Sequence, residues 1–116
     1  METVRIDRND GVVTVTLDRP ERKNAVNATM WRELRATFDE VRDNVDDRVL
    51  VITGAGGAFC SGADLADPDS LSEQGLTRMR MIGEVALALH RLPKPTIAKV
   101  GGVAAGAGCN MALGCA

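Results

Sequence analysis

Aromatic residues are nearly absent from this chain. Trp31, Phe38 and Phe59 are present and tyrosine is missing, too few rings for a surface on which nucleic-acid bases stack. Excess positive charge is also missing. Fourteen Lys and Arg face 16 Asp and Glu, a net charge of −2, so no basic field draws a polyanion and no nucleic-acid partner is expected. Cysteine is sparse: Cys60, Cys109 and Cys115 are odd in number and form no C-x-x-C pair. That argues against a disulfide framework or a zinc site, and points to a reducing, cytoplasmic setting. No apolar run is long enough to cross a bilayer, and the stretch from Met1 to Arg5 has no apolar signal core, so no membrane is expected either. The single histidine, His90, stands at a predicted helix end beside Arg91, where it reads as a structural residue or a helix-terminal cation.

What remains is a chain of 116 residues, 45% hydrophobic and 26% charged, the range of one soluble domain able to bury a core. Residues 4–7 and 12–17 alternate apolar and polar positions around Asn9-Asp10-Gly11, which predicts a β-hairpin. Asn27 is placed to cap a helix. Trp31, Leu34, Phe38, Val41 and Val45 recur at steps of three and four, one apolar stripe of a helix over 28–45. The β-branched run 49–53 predicts a strand covered on both faces. Residues 67–74 read as an exposed, mobile loop. Leu76, Met79, Ile82, Ala86 and Leu89 mark a second amphipathic helix, stopped by Pro93-Lys94-Pro95. A strand over 96–100 follows. Strands alternating with helices imply an α/β fold with parallel pairing.

Two glycine-rich loops carry the chemistry. One runs Gly54-Ala55-Gly56-Gly57 into Phe59-Cys60-Ser61-Gly62-Ala63-Asp64-Leu65, the other Gly101-Gly102 through Gly106-Ala107-Gly108-Cys109-Asn110. Glycine lets a ligand approach backbone N–H groups without a Cβ in the way. Two such loops can aim two N–H groups at one polarised carbonyl oxygen. A dinucleotide loop requires G-x-G-x-x-G or G-x-G-x-x-A. From Gly54 the sixth residue is Phe59 and from Gly106 it is Met111, so both stretches fail that pattern, and no P-loop occurs. A nicotinamide-dependent oxidoreductase stays as a rival reading.

The stretch Phe59 to Leu65, with Lys94-Pro95-Thr96-Ile97-Ala98 and Gly102 to Cys109, resembles the enoyl-CoA hydratase/isomerase (crotonase) superfamily. Leu17-Asp18-Arg19-Pro20 followed by Lys23-Asn24-Ala25 looks like its N-terminal motif. The likeness covers the whole chain, with the motifs in the family's order. It implies the ClpP/crotonase spiral of ββα units, with residues 1–116 as the N-terminal part of a single crotonase-like domain and no second domain. It implies an acyl-CoA thioester as substrate, no separate cofactor since coenzyme A arrives with the substrate, no metal, and a homotrimer or dimer of trimers.

Matched by residue, the resemblance gives the two oxyanion donors as the N–H groups of Ala63 and Ala107, the latter at a helix N-terminus. Enolate charge would be stabilised there by N–H donors and a helix dipole. Arg22, Lys23, Asn24 and Ala25 fall where the family's loop passes the nucleotide part of CoA. Ser61, Gly62, Asp64, Gly106 and Gly108 join the thioester-binding loops, and Leu65 and Ala66 match the pantetheine channel. Asp64 reads as a cap for local N–H groups rather than an acid or base. Asn110 stands where hydratases of the family have a glutamate. An amide is no general base, which tilts the reading towards members that isomerise double bonds or ring-epoxide CoA thioesters. Family members are longer than this chain. A piece of a longer enzyme, a truncated inactive homologue and a non-catalytic acyl-CoA binder are the competing expectations.

Overall fold

The computed structural model describes residues 1–64, 75–106, 108, 111, 112 and 115. Four strands form one sheet in the order β1-β2-β3-β4, from β1 (Val4–Asn9) and β2 (Val12–Leu17) to β3 (Val49–Gly54) and β4 (Thr96–Lys99). The first pair is antiparallel and the next two are parallel. Helices α1 (Ala28–Asp43) and α2 (Gly75–His90) connect the parallel strands and pack on each other.

The hairpin follows from two residues. Asp10 and Gly11 have φ of 51° and 82°, and a two-residue turn with both φ values positive matches the twist of its strands. The first strand therefore runs to Asn9, beyond the end at residue 7 that alternation alone suggests, while the second starts at Val12 as expected. Val13, Val15 and Leu17 of β2 are fully buried, as are Leu50 and Ile52 of β3, which pair Val13 with Leu50 and Val15 with Ile52. Val49 and Val51 are only partly covered. The expectation that β3 is sealed on both faces is therefore corrected: among the described residues one face is sealed and the other half open.

Helix α1 begins as its sequence predicts, with the Asn27 side chain accepting from the Met30 N–H at 2.9 Å. Trp31, Leu34, Phe38 and Val41 are buried in its stripe, joined by Met30 and Thr37. Each large apolar side chain sealed this way contributes roughly 1.5–3 kcal/mol. The helix stops at Asp43 because Asn44 is extended, and Val45 is 89% exposed, contrary to its expected place in the stripe. The C-terminal carbonyls are satisfied from afar: Lys94 Nζ donates to the carbonyls of Val41 and Asn44 at 2.5 and 2.6 Å. Among the α2 residues whose side chains are described, Val85 and Leu89 are buried, while Met79 is 68% exposed and Ala86 lies outward; the expected stripe position Leu76 lies outside them. The helix is rotated so that the bulkier valine, not its alanine neighbour, faces the core. Met111 is buried in that core. The expected loop over 67–74 lies outside the described residues.

Beyond the sheet, two parallel bridges tie Val26 to Ala63 and Cys60 to Ala104. Each belongs to the chain just after a sheet strand. Strand, bridge and helix thus recur along the chain, the ββα unit of the expected spiral. No helix among the described residues is long and apolar enough to cross a membrane.

Candidate functional site

The connections leaving β2, β3 and β4 lie side by side. The glycine loop after β3 is stitched to the one after β4: the N–H groups of Phe59 and Cys60 donate to the Val103 carbonyl at 2.9 and 3.0 Å, and the Ala105 N–H returns to the Cys60 carbonyl at 3.0 Å. The approach is close enough to require glycine. Gly62 has φ of 106°, and a Cβ there would sit 3.1 Å from the Ala105 carbonyl oxygen and 3.7 Å from the Gly106 Cα. A Cβ on Gly108 would run into the backbone carbonyl of Cys60. Backbone faces backbone across this seam.

The same β3 loop is held on its other side by the turn after β2. Ser61 donates its N–H to the Lys23 carbonyl at 3.0 Å and its Oγ to the Arg22 carbonyl at 3.2 Å. Val26 then brackets Ala63, donating to the Gly62 carbonyl at 2.8 Å and accepting from the Asp64 N–H at 2.9 Å. In a parallel bridge the bracketed residue turns its own N–H and carbonyl away from the partner. The Ala63 N–H accordingly donates to nothing among the described residues, and Ala63 is exposed. A free, rigidly flanked amide at the seam of two glycine loops is chemically a donor looking for an acceptor.

The other expected residues divide. Arg22 and Lys23 are exposed on the turn, where their charges are open to an anion. Gly106, with φ of 52°, faces solvent beside Gly62, whereas Gly108 is buried and its N–H is used by the Ala105 carbonyl at 2.9 Å. Ala107, Asn110, Leu65 and Ala66 lie outside the described residues. One expectation is corrected. Asn24 is fully buried, its Nδ2 donating to the carbonyls of Ala55 and Ala58 at 2.9 and 3.0 Å and its Oδ1 accepting from the Arg19 N–H at 2.9 Å. With every polar atom engaged inside the protein, its side chain clamps two loops together and has no reach to a ligand. Asp64 turns its Oδ2 to Arg19 Nη1 at 3.0 Å, an ion pair beyond the capping role expected of it. Ala25 is almost buried, its carbonyl held by Arg19 Nη1.

Arg19 carries no assigned role in the sequence, and no single-sequence signal links it to a carboxylate 45 residues away. Cys60 is not a rival nucleophile. Burial pushes its thiol up, against a smaller opposing effect from the Gly62 N–H, and a protonated buried thiol is inert. Among the described residues no group of three His, Cys, Asp or Glu side chains gathers to hold a metal.

Comparison with known proteins gives a single family. A model described as "Enoyl-CoA hydratase/isomerase" matches residues 7–116. A Rhodobacter capsulatus protein named "Probable enoyl-CoA hydratase" is 42% identical over 115 residues, 96% of this chain and 43% of its own length. The "1,2-epoxyphenylacetyl-CoA isomerase" of Escherichia coli is 40% identical over 119 residues, 98% of this chain and 45% of its own length. Among solved structures, an enoyl-CoA hydratase from Bacillus anthracis superposes with a TM-score of 0.91 at 29% identity, covering 98% of this chain and 45% of that one. One from Mycobacterium smegmatis gives 0.89 at 36% identity, covering 99% and 46%. The chain thus spans less than half the length of these relatives.

Proposed function

Because the chain belongs to the enoyl-CoA hydratase/isomerase family, we propose that it supplies the thioester-binding part of an acyl-CoA enzyme. The N–H of Ala63 and the N–H of Ala107 bind the thioester carbonyl oxygen together and stabilise the enolate formed when an α-proton leaves. The observation that carries this reading is the Ala63 amide: exposed, without an acceptor among the described residues, and fixed on both sides by hydrogen bonds of 2.8 and 2.9 Å. A donor already pointed at the site costs no reorganisation as charge develops, and one such donor is worth roughly 3–4 kcal/mol of barrier.

Within the same proposal the exposed Arg22 and Lys23 meet the phosphates of CoA, for which charge-assisted hydrogen bonds are the natural contact. Ser61 and Gly62 shape the loop around the thioester, Gly106 and Gly108 shape the facing loop, and Leu65 and Ala66 line the pantetheine path. Asn110 orients substrate or water and moves no proton, so a carboxylate outside residues 1–116 is the base. That favours isomerisation over hydration, in keeping with the name of one relative, the 1,2-epoxyphenylacetyl-CoA isomerase of Escherichia coli. The residues form part of one domain, the enzyme needs no cofactor beyond the CoA its substrate brings, and it works as a trimer or dimer of trimers in the cytoplasm.

Turnover of crotonyl-CoA and of a 3-enoyl-CoA by the protein carrying this chain, alongside calorimetric binding of each, tests the proposal. Saturable binding with isomerisation of the 3-enoyl thioester is expected. Binding without turnover of either marks an acyl-CoA binding module. A thermal shift with NAD(H) and none with acyl-CoA marks a nicotinamide enzyme and overturns the reading.

A further inference from the structure

Arg19 and Asp64 form an ion pair with both side chains largely enclosed, 14% and 11% exposed, and Nη1 3.0 Å from Oδ2. The same Nη1 donates to the Ala25 carbonyl at 2.5 Å. Arg19 is itself locked in place. Its N–H donates to Asn24 Oδ1 at 2.9 Å, and its carbonyl accepts from the N–H groups of Arg22 and Asn24 at 3.0 and 2.8 Å. The partners it grips are the neighbours of the bridge that presents Ala63. Ala25 precedes Val26 on one side of the bridge, and Asp64 follows Ala63 on the other. One guanidinium therefore ties together the two short segments whose relative placement aims the Ala63 amide.

We propose that the Arg19–Asp64 pair is a positioning device for the Ala63 N–H, holding its direction and rigidity and so setting the rate of the acyl-CoA reaction without touching the substrate. The proposal rests on reading Ala63 as a carbonyl donor. Three physical points support it. A buried ion pair is a weak source of net stability beside an apolar pair of the same volume, so stability alone does not account for it. A guanidinium is planar and rigid; here one of its nitrogens, Nη1, meets the carboxylate and the carbonyl together, in a direction the plane of the group fixes. Transition-state donors are sensitive to small displacements, and a shift of about 1 Å can cost a hundredfold in rate.

The test uses Arg19→Lys, Asp64→Asn and the doubly neutral Arg19→Gln/Asp64→Asn in the protein that carries this chain. Two properties are read in each: the ¹⁵N relaxation order parameter of the Ala63 amide, and kcat and KM for a 3-enoyl-CoA. In the single variants the Ala63 order parameter is expected to fall from the rigid range, about 0.85, towards the flexible range below about 0.6, with kcat down by about a hundredfold and KM within about threefold of the parent. The double variant, whose two amides can rebuild one hydrogen bond, is expected to regain part of both losses. A parent-like order parameter and kcat in folded single variants would overturn the proposal. So would kcat and KM changing together with no response of the Ala63 amide. Failure of the donor reading has a different signature: the thioester carbonyl stretch of acyl-CoA bound to the parent stays at its solution frequency, whatever the Ala63 order parameter does.

Discussion

At the scale of single residues, most of the site's order comes from side chains that never meet a ligand. Asn24 holds a left-handed conformation at φ of 57°, which asparagine tolerates better than most residues, and uses its amide to bind three backbone groups from two loops. Asn24→Ala leaves those groups buried and unpaired and strains the turn. We expect a loss of about 3 kcal/mol, read as a shift in the midpoint of chemical denaturation with an unchanged slope. Glu33 does comparable work at the N-terminus. It accepts from the Glu2 and Thr3 N–H groups at 3.0 and 2.9 Å and from Thr3 Oγ1 at 2.7 Å. Burial alone would raise its carboxyl, but these donors outweigh it and hold the group below its ordinary value of 4.5. A depressed folded value means that its stabilisation is complete above about pH 4.5 and disappears as the pH falls through the lower, folded value. Glu33→Gln should flatten the acid limb of a stability-against-pH curve in that window and leave the neutral plateau lower. An acid limb identical to the parent's would refute the assignment.

At the scale of elements, the sequence was informative wherever one local rule decides. Asp10-Gly11 specified the hairpin, Asn27 specified the start of α1, and the stripe from Trp31 to Val41 specified its buried face. The two glycine loops announced themselves because close backbone contact leaves only glycine at Gly62 and Gly108. What could not be read depends on partners distant in sequence. Val45 continues the apolar spacing of α1, yet the helix ends before it, where Lys94 from the far side of α2 meets the last carbonyls. The choice of Val85 over Ala86 depends on how α2 is rotated against its neighbours. Asn24, Arg19 and Asp64 look like ordinary polar residues until the strand register brings their loops together. Two predictions belong here. Lys94→Met removes a charged cap from a helix C-terminus and should cost about 1–2 kcal/mol in denaturation, with kcat for acyl-CoA unchanged. Gly108→Ala drives a methyl group into the Cys60 carbonyl and should separate the two loops. It is expected to lower kcat by at least about tenfold, since a displacement of about 1 Å can cost a hundredfold in rate, and a parent-like kcat would show that the seam is not part of the site.

At the scale of the whole molecule, one pattern organises the chain. Each parallel strand ends in a turn, each turn pairs briefly with the next, and a helix returns the chain to the sheet. The bridges Val26–Ala63 and Cys60–Ala104 are the joints of that pattern, and they are where an amide can be left over. The repeating architecture therefore supplies the donor without any dedicated side chain, which is why Ala63, an unremarkable residue by type, stands at the centre of the account. The most direct test exchanges that one N–H for oxygen. Replacing residue 63 with lactic acid by semisynthesis of the protein keeps the methyl group, removes the donor and turns the preceding peptide bond into an ester. The account predicts a fall in kcat for the acyl-CoA reaction of about 10²–10³-fold with KM nearly unchanged. An ester protein that folds and turns over substrate at the parent rate would contradict it.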